Sequence, residues 1–173
     1  MSSPYTIPLS GLKEGHHTID FEIDDTFFEL YEESEVKEGS LVANIEIDKR
    51  STHLDMNIKV SGSVRVSCDR CLEMFSQSVK SENRLLVKFG KSIDDTDPDI
   101  LSVPIDAYEL DLQQQIYEFI MLALPIKRVH PVDKNGKSTC DPVMLKKLDE
   151  LVIDEEKEND PRWDELKKLM NDN

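Results

Sequence analysis

Three cysteines and one histidine are the residues of this chain best suited to chemistry. Cys68 and Cys71 stand two residues apart in "SVRVSCDRCLEMF", residues 63 to 75, and His130 and Cys140 lie in "ALPIKRVHPVDKNGKSTCDP", residues 123 to 142. Two thiolates at this spacing on a turn can grip one tetrahedral ion, with two further ligands supplied from elsewhere in the chain. A set of Cys68, Cys71, His130 and Cys140 would close such a site around one structural zinc. The spacing of the second pair is loose for a zinc finger, and a single CxxC is a weak signal by itself.

The same residues admit other readings. A redox pair would profit from Arg70 between the thiols, which favours a thiolate; reactive CxxC pairs, however, typically open a helix in a βαβ setting, and here both flanks read as strands. A knuckle could present Arg70 to RNA. In the packing alternative Cys68 continues an apolar strand face, Cys71 is a small turn residue and Cys140 is half exposed. His16, His17 and His53 have no paired ligands nearby and are assigned to the surface. No Ser/His/Asp series, HExxH or phosphate-cradling glycine loop stands out, so these motifs assign no catalytic residue.

The elements that must position these residues are written in the hydropathy pattern. From Leu54 to Cys68 every even position except Gly62 is apolar, while odd positions carry residues such as Asp55, Asn57, Lys59 and Arg65. Strict period two means a strand with one buried face. Ile19, Phe21 and Ile23 repeat the pattern, as do Leu41, Ala43, Ile45 and Ile47, and later Phe75, Val79, Leu85, Val87 and Phe89. Cys68 and Cys71 then fall at the tip of a β-hairpin, with Phe75 in phase as a core residue or, alternatively, free to stack a base. Gly62 is read as a bend or bulge. "DDTFFELYEES" predicts a short helix capped by Asp24 or Asp25.

"DLQQQIYEFIMLALP" places Leu112, Ile116, Phe119, Ile120 and Ala123 at helical spacing, and the predicted helix runs from Leu110 to Leu124 before Pro125. Two related units, "DPVMLKKLDEL" from Asp141 and "DPRWDELKKLM" from Asp160, predict short amphipathic helices with Asp as cap and Pro in the first position. The expected architecture is α+β: a mainly antiparallel, curved or barrel-like sheet crossed by one amphipathic helix. A single domain over 1–140 is followed by a helical tail with an acidic linker over 141–173. The last helix, with Arg162 and Trp163, either docks on its own domain or binds a partner.

Composition bounds the function classes. With 173 residues and a net charge of −15, the chain as a whole repels phosphate backbones. Basic residues are nonetheless concentrated: residues 59 to 91 hold Lys59, Arg65, Arg70, Lys80, Arg84, Lys88 and Lys91 against Asp69, Glu73 and Glu82, and residues 127 to 137 hold Lys127, Arg128, Lys134 and Lys137 against Asp133. The pattern is either a solvated hairpin of mixed charge or one basic face on an acidic body. The longest apolar run is far shorter than the roughly 20 residues that span a bilayer. The N-terminal "MSSPYTIPLSGLKEG" has neither the basic start nor the apolar stretch of a secretory signal, so a cytoplasmic location is expected, where thiols stay reduced.

The order of an N-terminal β region, "VSCDRCLEMF", an acidic loop, "DLQQQIYEFIMLALPIKRVH", a later cysteine and a terminal "DPRWDELKKL" resembles the YceD-like large ribosomal RNA subunit accumulation proteins over nearly the whole chain. The matching positions are Cys68 and Cys71, Leu124 and Pro125, and Asp160, Pro161, Arg162 and Trp163. Many members carry a cysteine-rich cluster after the Leu-Pro, whereas this chain has only His130 and Cys140. The resemblance implies a non-enzymatic factor for ribosome biogenesis, needed for accumulation of 23S ribosomal RNA and assembly of the large subunit.

On that footing Arg65, Arg70, Lys80, Lys127 and Arg128 are the candidate contacts to 23S rRNA, its precursor or a large-subunit assembly intermediate. An acidic module or chaperone for a basic ribosomal protein is the alternative, and a thiol oxidoreductase the third.

Overall fold

A computed structural model of the chain describes residues 3–90, 97 and 99–151. Lys91, Arg162, Trp163, the acidic linker and the second Asp-Pro unit lie outside the described residues. Five strands form one sheet in the order β2 (Gly15–Ile23), β3 (Gly39–Lys49), β4 (His53–Ser67), β5 (Met74–Phe89) and β6 (Ile100–Val103). The first four are joined antiparallel, and only β6 runs parallel to its neighbour β5. β1 (Thr6–Pro8) and β7 (Glu109–Asp111) make a separate two-stranded pair. The five-stranded sheet keeps β2 and β6 as its two edges, so it does not close into the barrel that the repeated alternation suggested.

Alternation places the core where it was expected. Ile45, Ile58, Met56, Val60, Leu54 and Val87 are fully buried on one face, because cross-strand partners in register share a face. That face is covered at one end by Tyr5, Ile7 and α1 (Asp25–Glu29), whose Phe27 and Phe28 are fully buried. Asp24 caps α1 by accepting a hydrogen bond from the Thr26 N–H at 3.0 Å. α2 (Gln113–Leu122) lies against β4 and β5 and buries Ile116 and Ile120.

α2 is shorter than the predicted Leu110–Leu124 helix. Leu110 is taken by β7, where it pairs with Ile7, and Asp111 accepts the Gln113 N–H at the helix start. At the other end Pro125 disfavours helical backbone at Leu124. The first Asp-Pro unit forms α3 (Pro142–Leu151), with Asp141 accepting the Val143 N–H at 3.0 Å. Gly62 makes no bulge: it pairs with Leu41 and Val79 in an unbroken ladder. Its φ is +152°, and a Cβ there would lie 2.3 Å from the Ser40 carbonyl oxygen, so glycine is what lets β3 and β4 approach.

Candidate metal centre and its surroundings

The β4–β5 hairpin ends in the cysteine turn. The Cys68 N–H donates to the Glu73 carbonyl and the Leu72 N–H returns to the Cys68 carbonyl, both at 2.9 Å. Leu72 has φ +63°, the left-handed conformation that closes this tight loop and costs a side-chain-bearing residue about 1–2 kcal/mol. Cys68 and Cys71 are both buried. The even-numbered phase of β4 thus delivers Cys68 into the interior, and the turn carries Cys71 in beside it.

The second half of the cluster is built by a small loop. An isolated antiparallel bridge joins Val132 to Ser138. Asp133 accepts the N–H groups of Asn135 and Lys137 at 2.8 Å each, and Gly136 takes φ +79°. The loop doubles back and brings His130 Nδ1 to 3.8 Å from Cys140 Sγ. The wide sequence spacing of this pair is therefore taken up by a hairpin.

Asp69 ties the two halves together. Its N–H donates to the Arg128 carbonyl at 2.8 Å, and its carboxylate accepts the Arg128 N–H at 2.6 Å. As a result Cys68 Sγ lies 3.7 Å from Cys140 Sγ, and Cys71 Sγ lies 3.4 Å from His130 Nδ1. The four ligand atoms all fall within 4.8 Å of one another. His130 packs on Phe75, with ring centroids 4.7 Å apart, and Phe75 is buried as a core residue.

These separations can be compared with a zinc tetrahedron. Zn–S bonds of about 2.3 Å and Zn–N bonds of about 2.0–2.1 Å give edges of about 3.8 Å between sulfurs and about 3.6 Å between sulfur and nitrogen. The observed 3.7, 3.4 and 3.8 Å match those edges, and the sulfurs are much too far apart for a disulfide of about 2.05 Å.

The electrostatics point the same way. Burial pushes the Cys68 thiol up, but the backbone groups of Cys71, Arg70 and His130 and the His130 ring outweigh it, lowering the pKa to about 6. Cys71 goes in the opposite direction: burial raises it, and Cys68 and Cys140 beside it raise it further. One thiolate is favoured in this compartment and a second is resisted, a balance that a soft dication would resolve.

The predicted basic residues behave differently from one another. Arg128 is 24% exposed and its guanidinium pairs with Glu35 at 2.8 Å. Arg65 lies 3.4 Å from Glu38. Arg70, Lys80 and Lys127 have no ion pair among the described residues. Farther from the knuckle, Arg84 pairs with Asp55, and Lys59 with Glu46 and Glu82. Much of the basic stretch from residue 59 onward is therefore neutralised, partly by acids on a neighbouring strand that a linear window cannot count.

A family model described as "Large ribosomal RNA subunit accumulation protein YceD" matches residues 56–170. The chain belongs to the YceD family. The YceD match begins within β4 and takes in the cysteine turn, α2, the His130–Cys140 loop and α3. No curated protein and no solved structure matches the chain significantly. Among the described residues, no helix is long and apolar enough to cross a membrane.

Proposed function

We propose that this chain supports accumulation of large-subunit ribosomal RNA by binding rRNA or an assembly intermediate, with a zinc-closed knuckle fixing the end of the molecule that makes contact. The observation that carries the structural half is the convergence of Cys68, Cys71, His130 and Cys140 within 4.8 Å of one another, with three of their separations at the length of a tetrahedron edge. The family description supplies the ribosomal half. Zinc held by four protein ligands has no open coordination position, so its contribution is to hold thiolates and pin loops, not to activate water.

The chain's own residues do the rest. Asp69 and the Arg128 backbone clamp the two ligand pairs together, and Arg128 with Glu35 anchors the clamp to the segment after α1. Arg70, held between the two knuckle cysteines, and Lys127, next to the clamped Arg128, have no acidic partner among the described residues. Phosphate contacts from such side chains fix position and orientation on RNA without reading sequence.

Ultraviolet cross-linking in growing cells, followed by sequencing of the attached RNA, tests the RNA half. Reads clustered in 23S precursor RNA are expected, and background-level reads would redirect the search to a protein partner. Zinc content of protein purified without chelator tests the knuckle. Close to one zinc per chain is expected, and a value near zero removes the metal from the proposal.

A further inference from the structure

The sheet face turned away from α2 changes character along the β4–β5 hairpin. In the four outward-facing rows nearest the knuckle, Ser67–Met74, Arg65–Ser76, Ser63–Ser78 and Ser61–Lys80, there is no acid. Those rows carry five serines and two cations, Arg65 and Lys80, and Arg65, Ser67, Ser76, Ser78 and Lys80 are exposed. Beginning at the next row, Lys59–Glu82, acids and bases alternate and pair. In a chain of net charge −15, a run of outward β4–β5 rows without an acid is a departure from the rest of the hairpin, although Asp25 and Glu38 border it.

A shallow cavity of ≈ 310 Å³ opens on this half, lined by Ser40, Ser63, Arg65 and Ser76 together with Asp25 and Glu38. Both of its carboxylates are engaged. Asp25 accepts the Gly39 N–H at 2.8 Å, and Glu38 faces Arg65. Lys80, across from Ser61, has no partner among the described residues.

We infer that this half of the outer sheet face is a docking surface for the backbone of double-stranded RNA, an inference that rests on the RNA-binding reading above. Hydroxyls and cations are the groups that contact phosphate and ribose oxygens. Single-stranded RNA is gripped instead by aromatic side chains that stack its bases, and the four rows contain no aromatic residue. A-form duplex presents phosphates and 2′-hydroxyls across a wide, shallow minor groove, which suits a surface with hydroxyls and little relief. The outward rows are two residues apart, so from Ser61 to Ser67 they extend over about 20 Å at roughly 3.4 Å per residue, enough to meet more than one phosphate. Arg65 stays on Glu38, so with Arg70 and Lys80 as contacts two neutralised phosphates give a log–log salt slope of about −1.4 to −1.8.

The test is fluorescence anisotropy of the full chain with a labelled 20-base-pair RNA duplex of mixed sequence, an unstructured single strand of the same length, and a DNA duplex. The RNA duplex is expected to bind most tightly. Ser63→Asp with Ser78→Asp should weaken it at least tenfold, as should Lys80→Glu, while the far-half control Lys88→Glu stays within about twofold. Unchanged thermal unfolding separates lost contact from lost fold.

Equal binding of the single strand, or indifference to the serine and Lys80 variants, overturns the duplex surface and leaves the RNA reading standing. Cross-links in 23S precursor with no duplex binding do the same. Absence of both cross-links and binding overturns both.

Discussion

The centre of the sheet and its knuckle end are held together in different ways. At the centre, Ile45 faces Ile58 and Ile47 faces Met56, all essentially inaccessible to solvent, and each strand carries its own buried face in its own alternation. At the knuckle the core is three buried thiols and a half-buried imidazole, and its two halves meet across 59 to 72 residues of chain. Burial of aliphatic side chains stabilises the centre in any register-preserving context. The knuckle depends on a clamp of a few polar groups and, on the proposal above, on a cation. The centre should therefore respond to sterics and the knuckle to ligand chemistry.

The sharpest blow to the centre falls at Gly62. Alanine there would place its Cβ 2.3 Å from the Ser40 carbonyl oxygen and 2.6 Å from the Leu41 Cα, at φ +152°, so backbone must shift. A loss of about 2–4 kcal/mol is expected in urea unfolding of Gly62→Ala, with or without chelator. A loss under about 1 kcal/mol would show that β3 and β4 can separate cheaply and that the centre is softer than its burial indicates.

Cys140→Ser should divide the two regions. The serine removes one ligand and leaves the sheet intact, so amide exchange is expected to accelerate about 30-fold or more, roughly 2 kcal/mol of local stability, in the turn 68–74 and the loop 126–140. Amides of Ile45 and Ile58 should keep their protection. Uniform acceleration throughout would mean that the two regions unfold as one unit, and no change at the tip would mean that packing alone holds it.

The difference between the regions also decides what could be read without coordinates. The strands β2 to β5, their buried faces and the caps at Asp24 and Asp141 follow from patterns within a few residues, and they appear where alternation and capping rules put them, whereas β1 and β7 carry no such pattern. Openness of the sheet was not accessible that way, because alternation marks a buried face and does not say whether the edge strands meet. Leu110 shows the same limit: helical spacing claims it, yet its pairing with Ile7 lies more than a hundred positions away.

Chemistry at the candidate site was named from residue types, while its geometry required the Val132–Ser138 bridge and the Asp69–Arg128 clamp. Asp133 and Gly136 were the one local signal for that bridge, as a turn-forming pair inside the supposed loose spacer. Arg128 shows the same limit: a linear window counts it as basic and cannot show that its guanidinium lies against Glu35.

The smallest expected effect reverses the sign of the first. Gly62 is a position where only glycine fits, whereas Leu72, at φ +63°, is a position where glycine would fit better. Its side chain is 70% exposed, so truncation sacrifices little apolar burial. Relief of left-handed backbone strain, about 1–2 kcal/mol, exceeds the extra unfolded-state entropy of glycine, about 0.5–1 kcal/mol. Leu72→Gly should therefore stabilise the zinc-loaded protein by roughly 0.5–1 kcal/mol, read as a small rise in the unfolding midpoint. Because Leu72 takes no part in the clamp or the ligand set, zinc content should stay unchanged. A destabilisation of more than about 1 kcal/mol would show that this leucine is held by apolar contact after all, and that burial helps to stabilise the knuckle as it does the centre of the sheet.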